Sequence, residues 1–331
     1  MAGRLSPPLS DPSKNRGSVR SSFALIATAG LVAVALSGCA SAPAPEATSG
    51  RSSDAVEVSG EFGSAPRVEF PTPLAPDETQ CTEVIEGEGE FLQEGQFVLL
   101  GAALYNGTTG EEVQVVGFDD DAAPLALGGE TPIAFTKGLT CAREGSRVVI
   151  VAPSEETIRP SEDPEQAAGG DSLVAVFDVQ RAFPARADGT PQLSRDRFPA
   201  VVLAPDGRPG ITVPKADPPV DETSEVEVLK RGNGAKVEDG DTVVVQYTGV
   251  NWSDGKVFDS SWEGGSPATF TVGDGAETQV IPGFSSAIVG QTVGSQVGVI
   301  VPPSEGYGDQ AAGAIPANST LFFVIDILGV I

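Results

Sequence analysis

The chain has 331 residues, 40% of them hydrophobic, which is enough to bury a core in each of two domains of ordinary size. Lysine and arginine number 20 against 46 aspartates and glutamates, a formal charge of -26, so a phosphate backbone would be repelled and nucleic acid is excluded as a partner. There is no histidine, which removes hydrolytic triads and zinc sites built on that residue, and with it the usual general base near neutral pH.

In chain order, Lys14, Arg16 and Arg20 come first, then an apolar run from Phe23 to Leu36, then Ser37, Gly38 and Cys39. A basic flank, an apolar stretch of about 14 residues and small residues before a cut site predict a cleaved secretory signal over 1–38, too short for a comfortable membrane span. The ending "LSGC" resembles the lipobox of bacterial lipoproteins. That resemblance implies a lipidated Cys39 as the mature N-terminus and an extracytoplasmic protein attached to the membrane through its lipid alone. Residues 39–65, rich in Ala, Pro, Ser and Gly and without periodicity, are expected to be a flexible tether.

The remainder reads as two copies of one pattern. Residues 66–76, "PRVEFPTPLAP", precede "EVIEGEGEFLQEGQFVLL", and residues 209–219, "PGITVPKADPP", precede "EVLKRGNGAKVEDGDTVVVQ". Each copy continues to a late apolar strand, "SLVAVFDVQ" from Ser172 and "TLFFVIDIL" from Thr320. A repeat of roughly 145 residues is too long for a solenoid unit and reads as a duplicated domain. The expected boundaries are a first domain over 66–184, a Pro-rich linker over 185–223 and a second domain over 224–331. In the first copy, Cys81 and Cys141 form an even pair in an exported chain and read as a disulfide, with two separate buried thiols as the alternative. Asp119 to Asp121 lack the alternating ligand spacing of a calcium loop and read as a solvated acidic turn; no metal or cofactor is expected.

The second copy is mostly strand: "DTVVVQYTGV", "KVFDSS", "ATFTVG", "SQVGVIVPP" and "TLFFVIDILGVI" are rich in β-branched and aromatic residues and are separated by turn formers. Between Pro282 and Val289, "PGFSSAIV" places Phe284, Ala287 and Ile288 at helical spacing, starts with proline and meets Gly290, as a short helix would. The fold class is α+β, an antiparallel sheet curved over one short helix.

In this order "YTG", "FDSS", "VIPGF" and "GYG" together resemble the FKBP-type peptidyl-prolyl cis-trans isomerases over about a hundred residues, from Val228 to the end. The resemblance implies two FKBP-like domains, each a curved antiparallel sheet wrapped over one short helix, with an apolar pocket between them in the second. Carried over by position, Asp259, Tyr307 and Tyr247 would be the catalytic set, and Phe258, Val280, Ile281, Phe284, Ile315 and Phe323 would bind substrate. Phe284 stands where the family usually has a tryptophan floor. Ala268 stands where another aromatic is common, so a wider or shallower pocket is expected.

Those residue types suit the chemistry. Rotation about an amide costs about 18 to 20 kcal/mol because the C–N bond is conjugated, yet it moves no proton and makes no covalent bond. A site that favours the twisted amide, less polar than the planar one, needs a dry aromatic cup and a few placed donors. A chain without histidine can therefore be an enzyme.

The first copy keeps the strand pattern and loses these residues. Gapless alignment from Gly95 and Gly240 sets Ala102 opposite Tyr247, and Val113 and Gln114 opposite Phe258 and Asp259. Phe135 can match Phe284, while "APSEETI" offers no tyrosine opposite Tyr307. The expectation is a degenerate first domain and an isomerase in the second, acting on proline-containing exported polypeptides. The alternative is a non-catalytic chaperone or scaffold lipoprotein that holds extended chains with both domains.

Overall fold

The computed structural model describes residues 44–159, 170–193, 195–219 and 222–331. The predicted signal segment and Cys39 lie outside the described residues. The described chain is mostly antiparallel sheet with short helices, consistent with the α+β expectation.

A small hairpin of β1 (Glu57–Ser59) and β2 (Arg67–Glu69) comes first. It is followed by β3 (Gln80–Ile85), β4 (Phe97–Asn106), β5 (Glu112–Val116), β6 (Ala123–Ala126), helix α1 (Ile133–Gly138), β7 (Arg147–Ala152) and β8 (Leu173–Phe183). These strands form a sheet of order β3-β7-β8-β4-β5, with β6 pairing the other half of β4. The pattern then recurs. After the short β9 (Thr190–Pro191) comes the hairpin of β10 (Ala200–Leu203) and β11 (Pro209–Thr212). Next are β12 (Glu225–Arg231), β13 (Thr242–Asn251), β14 (Val257–Ser260), β15 (Ala268–Thr271), helix α2 (Pro282–Ile288), β16 (Gln296–Val301) and β17 (Leu321–Val330). The second sheet runs β14-β13-β17-β16-β12-β9, with β15 on β13.

Strands β13, β16 and β17 are buried along nearly their whole length instead of alternating. The reason is that both faces are covered. The inner face, with Val243, Val245, Val297, Val299, Ile325 and Ile327, packs on Phe284, Ala287 and Ile288 of α2. The outer face carries Val250, Trp252, Ile300, Phe322 and Val324, and it is covered by Phe198, Val201, Ile211 and Val213 from the β10–β11 region. The first sheet is treated in the same way: Tyr105, Val149, Val151, Val174 and Val176 on its outer face pack against Val58, Val68 and Phe70 of the β1–β2 hairpin. Helix α2 has Pro282 in its first turn and is followed by Gly290 at φ +85, matching its expected start and stop.

Two expectations about connecting segments are corrected here. Residues 44–65 are not a featureless tether: they hold a 3-10 turn at Ser53–Ala55 and strand β1, and Ala47 is buried in the first core. Residues 185–223 are likewise more than a linker, since β9, β10 and β11 all fall in them. Their Pro- and Gly-rich sequences suppress the periodicity that marks a longer strand. They become ordered because an apolar sheet face is there to be covered.

A carboxylate grips each covering segment. Asp178 is paired with Arg147 (2.6 Å), both fully buried, and Asp178 also accepts from the Gly63 N–H (2.7 Å) while the Arg147 guanidinium donates to the carbonyls of Gly60, Glu61 and Ser64. In the second sheet Asp326 accepts from the Ala187 N–H (2.8 Å) and from Gln296 Nε2 (2.6 Å) with no direct ion pair. Desolvation raises the Asp326 carboxyl above its ordinary range; the hydrogen bonds and nearby Lys230 and Arg186 pull the other way. Cys81 and Cys141 are joined as a disulfide, Cα atoms 6.4 Å apart, tying β3 to the turn after α1. Asp119 and Asp120 form a left-handed turn at φ 57 and 70. Between the sheets, Phe97 and Phe183 pack on Val244 and Leu328, and the edge of the Phe183 ring approaches β17 so closely that a Cβ at Gly329 would fall 2.1 Å from it.

Candidate active site

A cavity of about 440 Å³ opens between the second sheet and α2. Each wall comes from a different element. β13 supplies Tyr247, β14 supplies Phe258 and Asp259, β15 supplies Phe270, and β17 supplies Phe323. The loop into α2 supplies Thr278, Gln279, Val280 and Ile281, α2 itself supplies Phe284, and Tyr307 follows the turn at Pro303–Glu305.

The rings interlock edge to face. Phe284 meets Phe323 at 5.3 Å, Tyr247 at 5.7 Å and Phe270 at 5.8 Å between centroids, and Phe258 meets Phe323 at 5.5 Å. Such pairs are worth more than their buried area alone and hold each other in place. The ring cluster makes an apolar floor, with Asp259, Thr278, Gln279 and Tyr307 as the polar part of the lining. Gly249 makes it possible, because a Cβ there would lie 2.6 Å from Phe258 Cζ and 2.8 Å from Phe323 Cε1.

Asp259 and Tyr247 reach the rim as neighbours because β14 pairs with β13 in antiparallel register, Gly249 opposite Asp259. The Tyr247 hydroxyl donates to Asp259 Oδ2 at 2.6 Å. Burial, then the bond to Asp259, push the Tyr247 hydroxyl far above its ordinary value, so it stays protonated and keeps donating. The pair is fixed from behind: Ser261 Oγ accepts from the Tyr247 backbone N–H at 2.8 Å, and Ser260 Oγ lies 2.9 Å from Thr248 Oγ1. Tyr307 is different, 42% exposed and free to meet a ligand from outside. At the helix start the Ile281 carbonyl accepts from the Phe284 and Ser285 N–H groups, which fixes the end of the lip to the first turn of α2.

The structure therefore brings together Tyr247, Phe258, Asp259, Val280, Ile281, Phe284, Tyr307 and Phe323. Ile315 is not among the residues lining the cavity; it is 5% exposed, within the same core, in a short turn paired with Ala312. Phe270 was missed. Ala268 and Phe270 are two residues apart in one strand and share a face, so Phe270 adds a ring to the wall beside the small Ala268. Thr278 and Gln279 were missed as well, since nothing in a polar loop marks them as part of a wall. In the first sheet, Leu104 stands opposite Gln114 in a register that mirrors Gly249 and Asp259, and Val113 is 62% exposed. Ala102 lies in the core there and Phe135 packs edge to face on Phe177. Among the described residues no group of three or more His, Cys, Asp or Glu side chains could hold a metal ion.

The family model for FKBP-type peptidyl-prolyl cis-trans isomerases matches residues 233–328. An FK506-binding protein of Streptomyces anulatus is 37% identical over 125 residues, covering 37% of this chain and 97% of that relative. FK506-binding protein 1A of Neurospora crassa is 38% identical over 122 residues, covering 36% of this chain and 94% of the relative. The peptidyl-prolyl isomerase FkpA of Aeromonas hydrophila is 41% identical over 106 residues, which is 32% of this chain and 37% of the relative. Since the matched span takes in every residue of the cavity and two relatives are covered almost end to end, the chain belongs to the FKBP-type peptidyl-prolyl cis-trans isomerase family.

Proposed function

We propose that this protein is an extracytoplasmic isomerase, attached to the membrane through a lipid on Cys39, that assists the folding of exported proteins by turning over their X-Pro bonds in the cavity of the second sheet. The observation that carries the assignment of the site is the Tyr247–Asp259 pair, held at 2.6 Å on the rim of a cup of phenylalanines. Phe258, Phe284 and Phe323 would enclose the prolyl ring. The amide, drawn out of water, loses the solvation that favours its planar, more polar form. Tyr307 Oη and the Ile281 N–H would donate to carbonyls of the bound chain, and Asp259, with its second oxygen free of Tyr247, would face the carbonyl carbon as the bond twists. No proton moves, so the group absent from the composition, histidine, is not missed.

Two features support a division of labour along the chain. The first sheet repeats the strand order of the second but carries Ala102 and Gln114 at the stations of Tyr247 and Asp259. We read it as a second FKBP-like domain without isomerase activity, serving as a wall or a holding surface for the client chain. The membrane attachment rests on "LSGC" after the apolar run.

A prolyl-peptide assay on the full chain tests the site. Tyr307→Phe should lower kcat/KM about tenfold, the loss of roughly 1.4 kcal/mol from one hydrogen bond. Asp259→Leu should lower it at least as much with an unchanged circular dichroism spectrum. Full activity in the folded double variant would remove the assignment. For the anchor, Cys39→Ala should abolish incorporation of labelled fatty acid; undiminished labelling would refute it.

A further inference from the structure

Behind the cavity lip lies a single buried hydroxyl, Ser285. It follows Phe284 in α2, is 2% exposed, and its Oγ accepts from the Gly273 N–H (2.6 Å) while donating to the Gly273 carbonyl (3.0 Å). Gly273 sits at the end of β15, at φ +130, and a Cβ there would collide with Asp239 Oδ1 at 2.0 Å. The same Gly273 carbonyl accepts from Thr278 Oγ1 (2.9 Å), and Gln279 is fastened to Thr271 at both ends, its N–H donating to the Thr271 carbonyl (3.1 Å) and its Oε1 accepting from the Thr271 N–H (3.0 Å). Residues 274–277 between these ties are exposed. A loop of solvent-facing residues is thus stapled at its root, and the part that returns from it, Thr278 to Ile281, forms the lip.

We infer that Ser285 is a positioning residue for substrate binding: through Gly273 it sets where Thr278, Gln279, Val280 and Ile281 stand relative to the floor ring of Phe284. This rests on reading the cavity as the isomerase site. The hydroxyl touches no substrate. Its effect is on the entropy of the lip, which a bound chain must otherwise pin down itself. The lip contacts ground state and twisted state alike, so loosening it weakens both equally, which raises KM and leaves kcat unchanged.

The test uses the full chain and a proline-containing chromogenic tetrapeptide in a protease-free assay. Ser285→Ala should raise KM about fivefold, the equivalent of one lost buried hydrogen bond, with kcat within about twofold of wild type. Ser285→Thr, which keeps the hydroxyl, should restore KM. Hydrogen exchange should quicken for the amides of residues 273–281 in Ser285→Ala and stay unchanged in β13 and β17. If Ser285→Ala folds poorly, Thr278→Val, which cuts the tie from the lip side, should produce the same split between KM and kcat. An unaltered KM in both variants, or faster exchange spread equally through β13 and β17, would overturn the inference. Phe284→Ala separates the two layers of argument: if it keeps wild-type kcat/KM the cavity is not the site and the role of Ser285 falls with it, whereas loss there with an unaltered KM in Ser285→Ala sinks the role of Ser285 alone.

Discussion

Gly249 has no side chain because two rings occupy the place a side chain would take. It lies opposite both Asp259 and Phe323, at the one point of β13 where the strands on either side turn aromatic side chains toward each other across it. Gly249→Ala would drive a methyl group into Phe258 and Phe323, so at least one ring must swing into the cavity. We expect a loss of about 1 to 3 kcal/mol in chemical denaturation and a fall of about tenfold in kcat/KM; an active, undiminished Gly249→Ala variant would show that the rings do not shape the catalytic space. At this scale the sequence was informative where chemistry is concentrated in a short motif: "FDSS", "VIPGF" and "GYG" each delivered residues that do line the cavity. It was uninformative where position depends on a loop path. The family resemblance carries Ile315 over to the wall by position, but the turn at Ala312 directs it into the core. Phe270 could have been found by following the two-residue alternation of "ATFT", which puts it on the inner face beside Ala268.

Among the elements, the two hairpins that cover the outer faces were the hardest to read, because strands of three or four residues rich in Glu, Gly and Pro leave no pattern of their own. The clue lay elsewhere, in strands such as "LFFVIDIL" that are apolar on both faces and so demand a cover on each. Within that run Asp326 is the exception, and its burial is tied to the covering segment through Ala187. Desolvation raises its carboxyl, so the folded state holds the proton more tightly than the unfolded chain does. Folding then takes up a proton as pH falls through the window between the ordinary carboxylate value and the raised one. The ionised carboxylate therefore subtracts stability above that window, and the loss shrinks as pH falls into it. Asp326→Asn keeps an oxygen for the Ala187 N–H and carries no charge. It should raise Tm by about 2 to 4 °C at pH 7, with the gain disappearing toward pH 4. A variant that melts lower than wild type at pH 7 would show that Lys230 and Arg186 outweigh desolvation and that the charge is what holds Ala187.

For the molecule as a whole, these covers mean that the isomerase sheet is not a free-standing piece beginning at β12. Trp252, Phe322 and Ile300 rely on Phe198, Val201, Ile211 and Val213 for their burial, while Val244 and Leu328 rely on Phe97 and Phe183. A fragment of residues 224–331 exposes all five; baring even two such side chains costs about 3 to 6 kcal/mol. That fragment should bind the dye ANS and aggregate, a fragment starting at residue 184 should be folded but less stable than the full chain, and equal melting temperatures for the three would contradict the role given to the covers. The same contacts bear on how a long client could be handled. Phe183 closes β8 with its ring edge against Gly329, and the chain is gripped again by Asp326 at Ala187, leaving a leash of three residues between two fixed points. Such a leash gives no swing. On the function proposed above, a client chain that reached from one sheet to the other would have to match the span this short leash allows, with the twisting site as one fixed mark along it.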